Sequence, residues 1–123
     1  MIVDTSAVIA IALQEPGWEA LYEQAIAAPE LLMSAGTLQE LLIVALRKGV
    51  LPEVEALLTN LDLDYVPVDR VLALKGLELY QLYGKGGGHP AQLNYGDCFA
   101  AAIATMRQIP LLYAGKDFHA AGF

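Results

Sequence analysis

Four carboxylates stand where an apolar chain has least reason to place them. Asp4 follows Met1-Ile2-Val3, Glu40 interrupts Leu38-Gln39-Glu40-Leu41-Leu42-Ile43-Val44, Asp97 precedes Cys98-Phe99-Ala100-Ala101-Ala102-Ile103, and Asp117 comes soon after Leu111-Leu112-Tyr113. A carboxylate in oily surroundings must be paired, hydrogen-bonded, protonated or bound to a cation. Seven Lys+Arg against fourteen Asp+Glu, a formal charge of −7, leave few side-chain cations for that purpose. If the fold gathers these four acids, the pocket therefore wants a divalent metal. Mg2+ and Mn2+ prefer hard oxygen ligands, and Mg2+ keeps several of its waters, so a few Asp and Glu side chains can hold either ion beside a phosphate. Such an ion polarises a phosphoryl oxygen, brings a water into nucleophile range and stabilises the leaving oxygen, with a second ion possible, which is chemistry that cuts phosphodiesters. Two full negative charges ~5 Å apart repel by ~3 kcal/mol at an effective dielectric of about 20. Without metal, one of the acids should hold a proton.

Each acid also has a plainer explanation. Asp4 could simply cap the first helix, Thr37-Leu38-Gln39-Glu40 could form a capping box, Asp97 could be a favourable charge at a helix N-terminus, and Asp117 could be a turn residue. Those explanations are independent of one another, and none accounts for all four falling near strand ends.

The elements that must position the acids are legible as short β-like runs separated by helices. Ile2-Val3 begins a strand, and Thr5 or Ser6 is expected to cap a helix through Leu13. Pro16 opens a second helix in which Trp18, Leu21, Tyr22, Ala25 and Ile26 recur at helical spacing. Leu31-Leu32-Met33 is a second strand, and Ser34 caps a helix through Lys48 that Gly49 ends. Pro52 starts a further helix with Val54, Leu57, Leu58 and Leu61 on one face; Tyr65-Val66-Pro67-Val68 is a third strand. Asp69 caps a helix to about Tyr83, and a flexible Gly84-Lys85-Gly86-Gly87-Gly88-His89-Pro90 loop follows. Asn94 caps a helix to about Arg107, and Pro110 introduces a fourth strand at Leu111-Leu112-Tyr113.

Nearly all-apolar strands alternating with helices indicate an α/β sandwich, a parallel sheet covered on both faces. Ligands in such sheets collect at the carboxyl ends of the strands, near the point where strand order reverses. By this reading Asp4 ends the first strand, Asp117 follows the fourth, Glu40 lies two turns into the helix after the second, and Asp97 sits in the first turn of its helix. All four can face one pocket.

Composition narrows the function classes. The 123 residues, 56% of them hydrophobic, are expected to form one domain over residues 1–123 with one well-filled core and apolar surface to spare for a partner, so a dimer is plausible. Setting the four acids aside leaves a charge of −3, so there is no broad basic face. Nucleic acid would be held only through bound metal and a few local Lys or Arg, whereas a basic protein partner would be attracted. The single Cys98 cannot make an internal disulfide and reads as helix filling. No apolar run approaches the ~20 residues of a bilayer span, and the N-terminus lacks the basic leader of an export signal, so a cytoplasmic, soluble chain is expected.

At the acids and their neighbours the sequence resembles the PIN domain family, and more narrowly the VapC-type ribonuclease toxins of bacterial toxin–antitoxin pairs. The resemblance spans the chain. It is carried by Met1-Ile2-Val3-Asp4-Thr5-Ser6-Ala7, by Ser34-Ala35-Gly36-Thr37-Leu38-Gln39-Glu40, by the Gly84-Lys85-Gly86 loop leading through His89-Pro90-Ala91 to Leu93-Asn94-Tyr95-Gly96-Asp97-Cys98, and by Pro110-Leu111-Leu112 leading to Lys116-Asp117-Phe118. It implies a PIN-like three-layer sandwich with a central parallel sheet of about four to five strands. It also implies a Mg2+ or Mn2+ site for endonucleolytic cleavage of RNA, carried by Asp4, Glu40, Asp97 and Asp117. Family members of this kind usually form homodimers and are silenced by a cognate VapB-type antitoxin that lays a basic side chain into the acidic pocket. Thr5 and Ser6 match the family's hydroxyls beside the first Asp, with helix capping as their expected main role. Two departures stand out. Gly86-Gly87-Gly88-His89 lies where related toxins often carry an Arg, and Lys116 where many carry a further Asp; Lys116 reads as a solvated turn residue or as a phosphate contact.

The remaining candidates are weaker. His89 and His119 do not make a metal pair by spacing, and the glycine loop lacks the preceding strand and the Ser or Thr of a phosphate loop. Tyr80, Tyr83 and Tyr95 could stack on RNA bases, although aromatic residues at helical spacing more often serve a core or a dimer interface. Two other functions remain open at this stage: a catalytically inactive dimeric binding module of the same fold, and a phosphoacceptor receiver-type domain. For the latter, Asp4 has no acidic neighbour to complete an acceptor pocket.

Overall fold

The computed structural model describes residues 1–123 and contains four strands and seven helices. In chain order these are β1 (Ile2–Val3), α1 (Thr5–Ala12), α2 (Trp18–Ala27), β2 (Leu32–Ser34), α3 (Ala35–Lys48), α4 (Leu51–Leu61), β3 (Asp64–Val66), α5 (Arg70–Tyr83), α6 (Asp97–Arg107), β4 (Leu111–Leu112) and α7 (Asp117–Ala120). The strands form one sheet in the order β3-β2-β1-β4, and every pairing is parallel. β1 is therefore central, with Ile2 opposite both Leu32 and Leu111. The chain steps from β1 to β2 to β3 in one direction, then crosses back to lay β4 on the other side of β1. Strand order thus reverses between β1 and β4, and Asp4 leaves the sheet at that point.

Alternate residues of the central strands face opposite cores, which makes the sheet the middle of three layers. Ile2 and Leu32 pack with Leu72 and Leu79 of α5, Ala100 to Ala104 of α6 and Phe118 of α7. Val3, Met33 and Leu112 pack on the other side with Ala7 to Ile9 of α1, Ala25 of α2, Leu41 and Ala45 of α3, and Val54 and Leu61 of α4. Each large apolar side chain so enclosed contributes roughly 1.5–3 kcal/mol relative to exposure. The edge strand β3 differs from the sequence expectation of strands covered on both faces. Its Asp64 and Tyr65 are exposed, and pairing ends at Val66, because Pro67 has no amide hydrogen to extend the ladder.

Several boundaries follow from local chemistry. Ser34 Oγ accepts from the Gly36 amide to start α3, and Gly49 in the left-handed region (φ 72°) ends it. Asp69 Oδ1 accepts from the Leu72 amide at 2.8 Å to start α5. The glycine loop after α5 is closed by a parallel bridge between Gly84 and Leu93, with the Leu93 amide on the Tyr83 carbonyl and the Lys85 amide on the Leu93 carbonyl. The short helix α7 has no counterpart in the sequence reading. One turn cannot be stable alone, and here it is fixed by Phe118, which is buried against Tyr113 and Phe123.

Helices α3 and α6 come from opposite layers and meet beyond the carboxyl edge of the sheet, where α3 presents a glycine. A Cβ at Gly36 would stand 2.7 Å from the Phe99 ring of α6. We expect Gly36→Ala to force that crossing apart and lower stability by ~1–3 kcal/mol, the usual cost of overpacking. Urea unfolding reads it, and an unchanged midpoint would show that the crossing has slack.

Candidate active site

Asp4 is the innermost of the four acids. It has extended backbone (φ −91°, ψ 158°) at the end of β1, and its amide bonds the Leu112 carbonyl of β4, so the side chain cannot leave the sheet edge. Oδ2 accepts from the Ser6 amide at 2.9 Å and from Ser6 Oγ at 2.7 Å. Asp4 is thus the cap of α1, and the expectation that Thr5 or Ser6 caps that helix is corrected: both already lie within it. Oδ1 has no hydrogen-bond partner, although the residue is only 1% exposed.

The two hydroxyls freed from capping tie other segments to the first strand. Ser6 Oγ, while donating to Asp4, accepts from the Ala114 amide at 3.0 Å, which holds the loop after β4 that leads to Asp117. Thr5 Oγ1 donates to Glu40 Oε1 at 2.7 Å. Glu40 therefore reaches across to α1 and does not fold back on Thr37, so the capping-box alternative does not form. The other side of the Glu40 carboxylate rests on Gly96, where Oε2 occupies the space a Cβ would need. Gly36 receives Phe99, and Gly96 receives Glu40. Since Glu40 is one turn beyond Gly36 and Phe99 is three residues beyond Gly96, the two helices interlock large on small in both directions.

Asp97 is fixed by a reciprocal pair of hydrogen bonds. Asn94 Oδ1 accepts from the Asp97 amide and Asp97 Oδ2 accepts from the Asn94 amide, both at 2.9 Å. Regular helix begins only at Asp97, so Asn94 caps a preliminary turn and not the helix itself. Asp117 opens α7 and is half-buried, while Lys116 before it is exposed and pairs with no acid. His89 Nδ1 accepts from the Ala91 amide and its ring meets Tyr83 edge-on, a turn-closing role.

Electrostatics draws the four acids into one group. Burial pushes the Asp4 carboxyl up to about 7; the Ser6 hydrogen bonds oppose the rise, and the charges of Asp97 and Glu40 add to it. Burial likewise raises Asp97 to about 6, against its bond from Asn94 and with the charges of Glu40 and Asp117 behind it. Asp117 thus acts on Asp97 and is not among the groups acting on Asp4. The chain's one ion pair, Lys75 with Glu78, is elsewhere, so no side-chain cation compensates the group. No three of the acids are drawn tightly enough to enclose an ion between them. The buried, unpartnered Asp4 Oδ1 and an all-oxygen donor set suit a hard divalent cation better than any softer ion. Burial, with the charge of Asp97 behind it, pushes the Cys98 thiol up to about 11, which suppresses its reactivity.

Residues 1–123 match the PIN domain family over the whole chain. The chain belongs to that family. Mycobacterium tuberculosis relatives place this PIN domain among the VapC ribonucleases: ribonuclease VapC42 is 40% identical over 96% of this chain and 92% of its own, and ribonuclease VapC28 is 38% identical over 96% and 91%. In fold the PIN domain is similar to M. tuberculosis VapC20, described as a sarcin-ricin loop cleaving toxin, with TM-score 0.75, 19% identity and coverage of 99% of this chain and 95% of that one. It is also similar to a chain of a toxin–antitoxin complex from Klebsiella pneumoniae, with TM-score 0.69, 18% identity and coverage of 95% and 88%. Gly36 and Gly96 stand within sequence motifs that by themselves assign neither glycine a task. The available signal was Gly36 in the first turn of α3, where glycine costs helix stability unless something packs on it; Gly96, at the N-cap of α6, carried no such signal.

Two outcomes are expected. Both raised carboxyls take up protons on folding above the ordinary Asp value of 3.8, so metal-free protein loses stability as pH rises from about 4 through about 7. Thermal unfolding in chelator should therefore give a lower midpoint at pH 8 than at pH 5, and Asp4→Asn should flatten that slope; a parental slope in the variant would refute the Asp4 assignment. Gly96→Ala should leave unfolding near parental, because the displaced group is the mobile end of Glu40, yet weaken Mn2+ uptake measured by calorimetry. Parental uptake would show that Glu40 has room to move.

Proposed function

We propose that this PIN domain is a metal-dependent endoribonuclease of the VapC toxin type, with Asp4, Glu40, Asp97 and Asp117 holding Mg2+ or Mn2+. The observation that carries the site is the Asp4 carboxyl: buried at the strand-order reversal, with one oxygen unpartnered, beside acids that no side-chain cation balances. When bound, the ion supplies the positive charge that polarises a phosphodiester and brings a water into nucleophile range. The chain's own residues set the stage. Ser6 occupies Asp4 Oδ2 and leaves the buried Oδ1 without a partner, Thr5 and Gly96 hold the two oxygens of Glu40, and Asn94 fixes Asp97 Oδ2, leaving its Oδ1 without a bond. Without the ion, Asp4 holds a proton near neutral pH; loading the site displaces it, so ion affinity rises with pH. Lys116 is exposed beside Asp117 and free to meet a phosphate.

A basic partner suits this pocket. The acid group and the formal charge of −7 support a VapB-type antitoxin that places a cationic side chain among the carboxylates. A homodimer is supported by Val71, Leu74 and Leu77, which form an exposed apolar stripe at three-residue spacing along α5. No helix is long and apolar enough to cross a membrane. The cytoplasm, where toxin and RNA meet, remains the proposed location.

The test is cleavage of a single-stranded RNA in Mg2+ or Mn2+. We expect none in chelator, none with Asp4→Asn or Asp97→Asn at parental folding, and a loss of roughly 10–100-fold with Ser6→Ala, which only orients a ligand. Equal cleavage by Asp4→Asn and parent would reject the site.

A further inference from the structure

Tyr95 is the most exposed large hydrophobic side chain of the protein, at 79% of its surface, and it stands two residues before Asp97. It is nevertheless oriented. Its ring meets Phe99 edge to face, centroids 5.2 Å apart, and Phe99 is itself seated on Gly36. Tyr95 separates two grooves. The larger, about 510 Å³, runs along α5, is apolar, and includes Leu77 of the stripe assigned above to the dimer. The smaller, about 270 Å³, is lined by Gln39, Glu40, Ile43, Tyr95, Gly96 and Phe99, so it shares Glu40 with the carboxylate group.

The chemistry of the smaller groove selects its occupant. Glu40 in the wall excludes a phosphate or a carboxylate. Aromatic rings, an aliphatic side chain and the exposed Gln39 amide suit a neutral planar heterocycle with hydrogen-bonding edges. The chain also lacks the basic surface by which nucleic-acid-binding proteins usually obtain affinity. Metal ions can hold one phosphate, and further affinity must come from uncharged contacts next to it. We infer that the groove beside Tyr95 is a nucleobase subsite, in which a base of single-stranded RNA flanking the scissile phosphate stacks on Tyr95 within reach of the Gln39 amide. This rests on the ribonuclease reading. A second copy of this chain fits less well here, since it would bring another net negative charge against Glu40 and Asp97.

The experiment is steady-state cleavage of a short fluorescein-labelled single-stranded RNA in Mn2+, with fluorescence anisotropy of the same oligonucleotide in Ca2+. Tyr95→Ala should raise KM and the anisotropy Kd roughly ten- to a hundredfold, the usual range for one lost stacking contact. Its Mn2+ affinity by calorimetry should stay parental, and Tyr95→Phe should recover most of the binding. Abasic substitution at one position next to the cut should reproduce the loss in the parent and add nothing in Tyr95→Ala. Parental RNA affinity in Tyr95→Ala, additive losses in the abasic series, or a fall in sedimentation coefficient marking Tyr95 as a protein interface would each overturn the subsite. A parent that takes up Mn2+ and binds the oligonucleotide through Tyr95 without cutting it would overturn the nuclease reading and leave the subsite standing.

Discussion

Asp4 combines two conditions that are individually tolerable and jointly costly: full burial and partial hydrogen bonding. One oxygen accepts twice from Ser6; the other, in the same buried place, accepts from nothing. An ionised carboxyl in that state is opposed by lost hydration and by neighbouring acids, and its proton affinity rises accordingly. The position cannot relax, because the Asp4 backbone is bonded into the ladder with β4 and its side chain caps α1. The central strand thus ends in a group that stabilises a helix start and destabilises the ionised site.

The rest of the carboxyl edge is arranged around that group with small residues and hydroxyls. Ser6 joins Asp4 to the loop after β4, and Thr5 joins α1 to Glu40 on α3. Gly36 and Gly96 let α3 and α6 approach until Phe99 and Glu40 fill the places of their missing side chains. Two hydroxyl bridges and two glycine contacts between helices therefore surround a few carboxyl oxygens. Asp117 is held more loosely, on a single turn whose position depends on Phe118 in the core. Its charge reaches the group only through Asp97.

The balance of charge gives this PIN domain an unusual problem for a nuclease. Its surface is negative, its one ion pair lies on α5 away from the acids, and no basic patch draws RNA inward. In the proposed reading affinity is local, with cations at the carboxylates and neutral flat contacts beside them. A pocket of this charge also attracts basic protein side chains, so the property proposed to hold the metal would also make the site easy to silence.

The fold was largely readable because apolar runs of strand length alternate with helices marked by strong punctuation, such as Ser34 and Gly49 around α3 and Asp69 before α5. The four acids were readable for a related reason: a carboxylate beside Ile2-Val3 or Leu41-Leu42 breaks a hydrophobic pattern that nothing local explains. Caps shared between neighbours were not readable. Asp4, Thr5 and Ser6 are all competent caps, and only the positions of Glu40 and Ala114, distant in sequence, decide that Asp4 caps while the hydroxyls bridge. Helix α7 was invisible for a similar reason, since one turn has no periodicity to detect and exists through the burial of Phe118. Residue types and order by themselves determined the layered parallel architecture and which side chains carry negative charge, because both follow from local pattern. Which oxygens are satisfied, which are left unpartnered, and which glycines receive a neighbour were decided only when segments far apart in the chain packed together.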